Sequence, residues 1–197
     1  REYRLISPKD GWMEVPAQQV FSIIKELIKK VAAETRQDPV EAIAVSSQGE
    51  AVVPIDKNGT VLNDAPMRFD NRVGSIYEQW KVPEKREQIY KVTGMPLHPQ
   101  YSINKILWFK EQRPALFEKT WKFLCLEDFI IYQLSRQAVT DYSLASRTMA
   151  FDIHKKDWSD QVLTEAGLEK SLFPKVQQSG ELVGTIERKL AQELGLR

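Results

Sequence analysis

Val40 to Arg72, VEAIAVSSQGEAVVPIDKNGTVLNDAPMRFDNR, constrains the fold more than any other stretch of this chain. Ala42-Ile43-Ala44-Val45 is an apolar run too short for a helix and bounded by polar residues, the pattern of a buried strand. Ser46-Ser47-Gln48-Gly49-Glu50 follows, then a second β-branched run, Val52-Val53-Pro54-Ile55, closed by the turn residues Asp56-Lys57-Asn58-Gly59. An amide, a bare backbone and a carboxylate at the C-terminal end of a strand are the parts of a ligand site at a sheet edge. The plainer alternative is that Ser46 to Glu50 is a polar turn joining two strands.

The remaining chain sets bounds on class. At 197 residues and 42% apolar content it is long enough to bury one large core. Its 28 basic and 27 acidic residues nearly cancel and form no basic block, which argues against a nucleic-acid surface. One cysteine, Cys125, leaves no intramolecular disulfide, and two scattered histidines make no Cys/His zinc site. With no apolar run of about 18 residues, no membrane partner is expected, and a cytoplasmic protein is the simple inference.

In chain order, Pro16 opens an amphipathic helix from Ala17 to Glu34, with Val20, Ile23, Ile24, Leu27, Ile28 and Val31 at helical spacing. Asn71–Trp80 and Lys85–Val92 read as helices, the second capped by Gly94 with Pro96 beyond. Ser102 is expected to cap a helix that buries Ile103, Ile106 and Leu107 and breaks at Arg113-Pro114. Phe123–Leu134 reads as a helix, Trp158 starts another running to Gly167, Val176–Ile186 holds a short strand, and Glu187–Leu194 is a last helix. Strands followed by a helical excursion give the α/β class.

SSQGE, the P-x-D-x-x-G turn at Pro54–Gly59 and Arg68-Phe69-Asp70-Asn71-Arg72 together resemble the N-terminal domain of the FGGY carbohydrate kinases, which include glycerol, xylulose and gluconate kinases. The segment VTDYSLASRTMAFDIHKKDW is a second anchor and is similar to glycerol kinase in particular; the resemblance runs from Gly11 to Gly184. It implies a ribonuclease-H-like (actin-like ATPase) core, truncated at both ends. In that arrangement 1–197 is a partial substrate-side domain, 40–72 carries the central strands and pocket motifs, and 73–170 is a mainly helical insertion. It also implies ATP and Mg²⁺ as cofactors of the parent enzyme and a small sugar, polyol or sugar acid as substrate.

Phosphoryl transfer to a hydroxyl is mostly positioning and charge neutralisation, so the substrate side must orient a polyol. Gln48, Gly49 and Glu50 are the candidate polyol binders. In glycerol kinase the segment similar to SSQGE carries an Arg-Glu pair on the glycerol hydroxyls; Glu50 stands at the Glu, and Gly49 at the Arg, which removes that donor and leaves space for a bulkier substrate. Arg68 replaces the family's pocket tryptophan, so an acidic sugar pairing with Arg68 is one expectation. Asp70 is a further substrate-binding candidate, with the alternative that it caps the next helix and pairs with Arg72. Gln100 matches an aromatic substrate-contact position, with Tyr101 beside it.

Asp141, Ser143, Ser146, Arg147 and Asp152 read as architecture, with Arg147 and Asp152 as a pair. The family's D-x-G-T hairpin and its general-base Asp are expected outside the chain, the latter beyond Arg197, so no catalytic or metal-ligating residue is assigned here. The expectation is an ATP-dependent carbohydrate kinase whose isolated fragment is silent. The competing reading is a non-catalytic polyol-binding or protein-interaction module. Uncovered sheet edges would favour pairing with a second copy.

Overall fold

Val52–Ile55 (β2) and Lys122–Cys125 (β4) pair antiparallel, Val52 opposite Cys125 and Val53 opposite Leu124, and this ribbon divides the interior. Val52, Phe123 and Cys125 face one apolar cluster, while Val53, Ile55 and Leu124 face the other. Burial on both faces explains why β2 is apolar throughout rather than alternating. Pro54 is tolerated because a two-stranded ribbon leaves each strand with one unpaired side. The computed structural model describes residues 1–196.

The other elements follow in order: β1 (Glu14–Val15), α1 (Ala17–Glu34), then after β2 the short β3 (Ala65–Pro66), a 3₁₀ turn at Asn71–Val73, α2 (Gly74–Glu78), α3 (Pro83–Thr93), α4 (Ser102–Gln112) and α5 (Pro114–Lys119). Past β4 come α6 (Leu126–Ser135), β5 (Val139–Asp141), α7 (Tyr142–Ser146), β6 (Phe151–Asp152), β7 (Asp157–Trp158), α8 (Asp160–Ala166), β8 (Lys175–Gln177) and α9 (Arg188–Leu194). Among the described residues the strands form four two-stranded ribbons, of which β5–β8 is parallel. No helix among the described residues is long and apolar enough to cross a membrane.

Several expectations hold in detail. The first helix spans Ala17–Glu34, Gly94 ends α3 in the left-handed region at φ 67°, and Pro114 separates α4 from α5. Asp56 locks the turn after β2 by accepting Asn58 N–H and Thr60 N–H at 2.8 Å each. Others need correction. Ala42–Val45 is not a strand, and no backbone–backbone hydrogen bond runs from Val40 to Gly49, because none of the described segments lies alongside to pair with it. Phe123–Cys125 is strand, not helix: an apolar run of this length reads either way, and pairing with β2 decides it. The core therefore resumes at Lys122, inside the stretch expected to be a helical insertion. Along α1, Val20 and Phe21 are buried, whereas Leu27 and Val31 are exposed.

Candidate functional site

Glu50 sits where the irregular segment turns into β2, and its backbone takes φ 71°, a conformation that costs a non-glycine residue about 1 kcal/mol or more. The strain is held by partners on two other segments. Ser102 Oγ at the start of α4 donates to the Glu50 carbonyl at 3.3 Å. Arg147, just after α7, donates from Nε to Glu50 Oε1 at 2.6 Å and from Nη2 to the same oxygen. The Glu50 side chain is 5% exposed and Arg147 is 35% exposed, so the carboxylate is largely covered while the guanidinium reaches the surface. Beneath Arg147 lies the Tyr101 ring, 5.2 Å from the guanidinium carbon, a cation–π contact.

Gly49 has a different reason for being glycine than the one expected. A Cβ there would lie 2.9 Å from Arg147 Cβ. The bare backbone makes room for the arginine stem, not for a larger substrate. Ser102 likewise is not a cap; Tyr101 holds the N-cap position without a side-chain bond, and the Ser102 hydroxyl ties α4 to Glu50 instead.

Lys105 lies under this cluster, fully buried on α4, and its Nζ donates to the Gln100 carbonyl. Burial lowers its pKa to about 8, against the pull of the Glu50 and Asp70 carboxylates. Gln100 thus serves through its backbone, and its half-buried side chain makes no hydrogen bond among the described residues. Gln48 is exposed, with Nε2 3.7 Å from Met67 Sδ.

Asp70 and Arg68 are corrected by their surroundings. Asp70 accepts Arg72 Nε at Oδ1 and Arg72 Nη2 at Oδ2, both at 2.8 Å, while Met13 N–H donates to Oδ2 at 2.7 Å. Its side chain is fully buried, so both oxygens are used inside the protein and none is presented to a ligand. This is the capping and pairing alternative: Asp70 also accepts Arg72 N–H at the 3₁₀ turn. Arg68 is exposed and makes no hydrogen bond or ion pair among the described residues, so nothing ties it to Glu50. Arg147 pairs with Glu50 rather than with Asp152, whose Oδ1 is taken by the backbone N–H groups of His154 and Lys155.

The N-terminal domain model of the FGGY carbohydrate kinases matches residues 1–197. The chain belongs to the FGGY family of carbohydrate kinases. This FGGY domain is 34% identical over 191 residues to glycerol kinase of Thermococcus onnurineus, covering 93% of the chain and 38% of that relative. It is 35% identical over 191 residues to glycerol kinase of a Geobacillus species, covering 92% of the chain and 38% of that relative. Among solved structures, gluconate kinase from Lactobacillus acidophilus superposes with a TM-score of 0.92 at 27% identity, over the whole chain and 40% of that protein. Xylulose kinase from the same organism gives 0.89 at 26% identity, again over the whole chain and 40% of that protein. The α/β, actin-like ATPase fold is thereby established, and the chain spans about two fifths of these relatives.

Sequence reasoning passed over two members of the site in this FGGY domain. Arg147 was read as a local partner because nothing in ASRTM points across 97 residues to Glu50. Lys105 carried a usable signal: Asn104 and Lys105 interrupt an apolar helix at positions that are both fully buried. Among the described residues no group of three or more His, Cys, Asp or Glu side chains is placed to hold a metal ion. No residue is therefore assigned to Mg²⁺ among the described residues.

Proposed function

We propose that this chain is the substrate-side domain of an ATP-dependent kinase that phosphorylates a hydroxyl of a sugar or polyol, with Glu50 as the acceptor that orients the substrate. The observation that carries this is the state of the Glu50 carboxylate. Arg147 engages Oε1 only, and Oε2 has no hydrogen-bond partner among the described residues, although the side chain is 5% exposed. Oε2 is not sealed from solvent, and as a free acceptor it can take a hydrogen bond from a substrate hydroxyl. Family membership supplies the reaction class, and kinases named for glycerol, xylulose and gluconate are its similar proteins.

Neutral polyols and ketoses suit the Glu50 carboxylate better than aldonates. A substrate carboxylate brought to Oε2 would meet like charge, and Arg68 has no contact that places it as a counter-ion. The test is to assay the full-length protein with ATP and Mg²⁺ against polyols, ketoses and aldonates, following ADP release. Turnover on neutral substrates is the expected result. Turnover confined to aldonates would overturn the assignment of Glu50 as a diol acceptor, and no turnover on any of them would overturn the kinase reading.

A further inference from the structure

A groove between α1 and the end of α6 shares no residue with the Glu50 cluster. It holds about 630 Å³ and is lined by residues 58–64, by Gln18 of α1, by Gln133 of α6 and by Arg136 just past that helix. This volume lies within the range of small-molecule sites, roughly 300–1,000 Å³. The partners of Glu50 come instead from α4 and from the segment after α7.

Bonds to the interior fix the walls. Asp56 locks the turn from which the strip 58–64 leaves. Gln133 Nε2 donates to the Gly59 carbonyl at 3.4 Å. Gly59 takes φ 82°, and a Cβ there would lie 2.7 Å from the Tyr132 ring and 3.2 Å from Arg136 Nη1, so glycine is what lets the strip lie against α6. Asn63 Nδ2 donates to Glu14 Oε1 at 3.1 Å, and the same oxygen accepts from the buried Arg72. Walls tied in this way need little ordering when a ligand enters.

The polar groups of the groove are largely unused. Arg136 is exposed, its ring neighbour is Tyr132 at 5.6 Å, and its guanidinium makes no hydrogen bond or ion pair among the described residues. Its backbone ends α6 in the left-handed region at φ 60°, where glycine is the favoured residue, so arginine stands there at a cost. Gln133 is 9% exposed, and its amide oxygen has no donor among the described residues. Burial and the nearby Glu14 charge raise the pKa of the half-buried Asp64, against the pull of the Ala17 N–H.

These groups select a ligand class. Arginine offers donors only, a carboxylate acceptors only, and the amides of Gln18 and Gln133 offer both. Val61 and Leu62 are the apolar side chains in the lining, too few to hold an apolar ligand. An anion would meet Asp64 and the carbonyl end of α6, and a cation would meet Arg136. A neutral molecule dense in hydroxyls uses donors and acceptors alike. We propose that this groove is a second carbohydrate site, taking a neutral mono- or disaccharide through Arg136, Gln133, Gln18 and Asp64. It stands apart from phosphoryl transfer and from the role of Glu50.

The test uses the full-length protein with methyl-labelled valine, leucine and methionine, read by NMR. Val61 and Leu62 report the groove, and Met95, whose Sδ lies 4.0 Å from Arg147 Nη1, reports the Glu50 cluster. D-glucose and maltose are titrated beside D-glucuronate, which adds a carboxylate to the glucose ring. The neutral sugars are expected to shift Val61 and Leu62 saturably, and glucuronate to bind there at least about tenfold more weakly. Arg136→Gln removes one charge-assisted donor from an exposed, unpaired side chain and should weaken the neutral sugars about tenfold at these two reporters.

Neutral sugars that leave Val61 and Leu62 unmoved, glucuronate that binds there as tightly as glucose, or Arg136→Gln that binds glucose as the parent does would each overturn the proposal. If Val61 and Leu62 respond and the protein phosphorylates nothing, the kinase reading falls and this one stands. If sugars are phosphorylated and Met95 alone moves, this one falls and the kinase reading stands.

Discussion

The guanidinium of Arg72 lies face-on to the Trp12 ring, with its central carbon 4.1 Å from the ring centroid. Trp108 covers it at 4.9 Å. In the guanidinium plane, Asp70 takes two bonds and Glu14 Oε1 a third at 2.8 Å. One buried cation thus joins the strand before α1, the 3₁₀ turn and α4 through its edges and faces. Arg72→Lys keeps the charge but loses the fork and the stacking, leaving Asp70 and Glu14 buried with too few donors. It should cost about 3 kcal/mol in urea unfolding. A midpoint unchanged from the parent would show that the cluster contributes no net stability.

Gly49→Ala tests the channel for the arginine stem. The new Cβ would sit 2.9 Å from Arg147 Cβ, closer than two carbons tolerate, so one must move. A loss of about 1–3 kcal/mol is expected, together with a weakened Glu50–Arg147 pair. In a double-mutant cycle with Arg147→Gly the penalty should largely vanish, since the Cβ it collides with is gone. Additive losses would place the strain elsewhere.

Two buried groups set opposite slopes of stability against pH. Burial raises the Asp128 carboxyl from 3.8 to about 8, although Cys125 N–H donates to its Oδ2 at 2.8 Å. Its contribution is present below pH 3.8 and is lost as pH rises through about 8, because the unfolded chain releases this proton first. Burial lowers Lys105 from 10.5 to about 8, so its contribution is present above pH 10.5 and lost as pH falls through about 8. Together they place a stability minimum near pH 8 in their share of the curve. Urea unfolding across this range should show Asp128→Asn flattening the acid-side slope and Lys105→Met flattening the alkaline one. Unaltered curves would mean that neither group titrates in the folded state as its burial dictates.

Asp128 Oδ1 and Thr140 Oγ1 are both buried without a hydrogen-bond partner. A proton on Asp128 gives that oxygen an O–H to share with the neighbouring hydroxyl, consistent with a carboxyl that stays neutral at pH 7. Thr140→Val should then cost about 1 kcal/mol or more below pH 7, where the protonated Asp128 carboxyl holds that bond, and a loss near zero would show that no bond is in place.

The isolated chain with ATP, Mg²⁺ and any sugar is expected to release no ADP above background. In the proposed reading this domain receives the hydroxyl and supplies no phosphate cradle. Phosphoryl transfer by these 197 residues alone would require a base and a phosphate cradle that the present assignment does not contain.

Local chemistry made much of the fold legible. The α1 periodicity, Gly94 at a left-handed cap, Pro114 after a helix end and the Asp56 turn depend on neighbours a few residues away, and each stands where its spacing puts it. Ala42–Val45 failed because a strand exists only if another segment bonds to it. Phe123–Cys125 failed in the opposite direction, since β2 was there to recruit it.

The sequence by itself determined the class of the domain and its family, because those follow from short-range pattern and from motifs read in order. Tertiary structure decided what completes the site. It withdrew Asp70 into a salt bridge, left Arg68 in solvent, and brought Arg147 across 97 residues onto Glu50. A charge finds its partner by where the packed helices carry it. The absence of a Cβ at Gly49 becomes a statement about Arg147 only once the chain has folded back to put the two in contact.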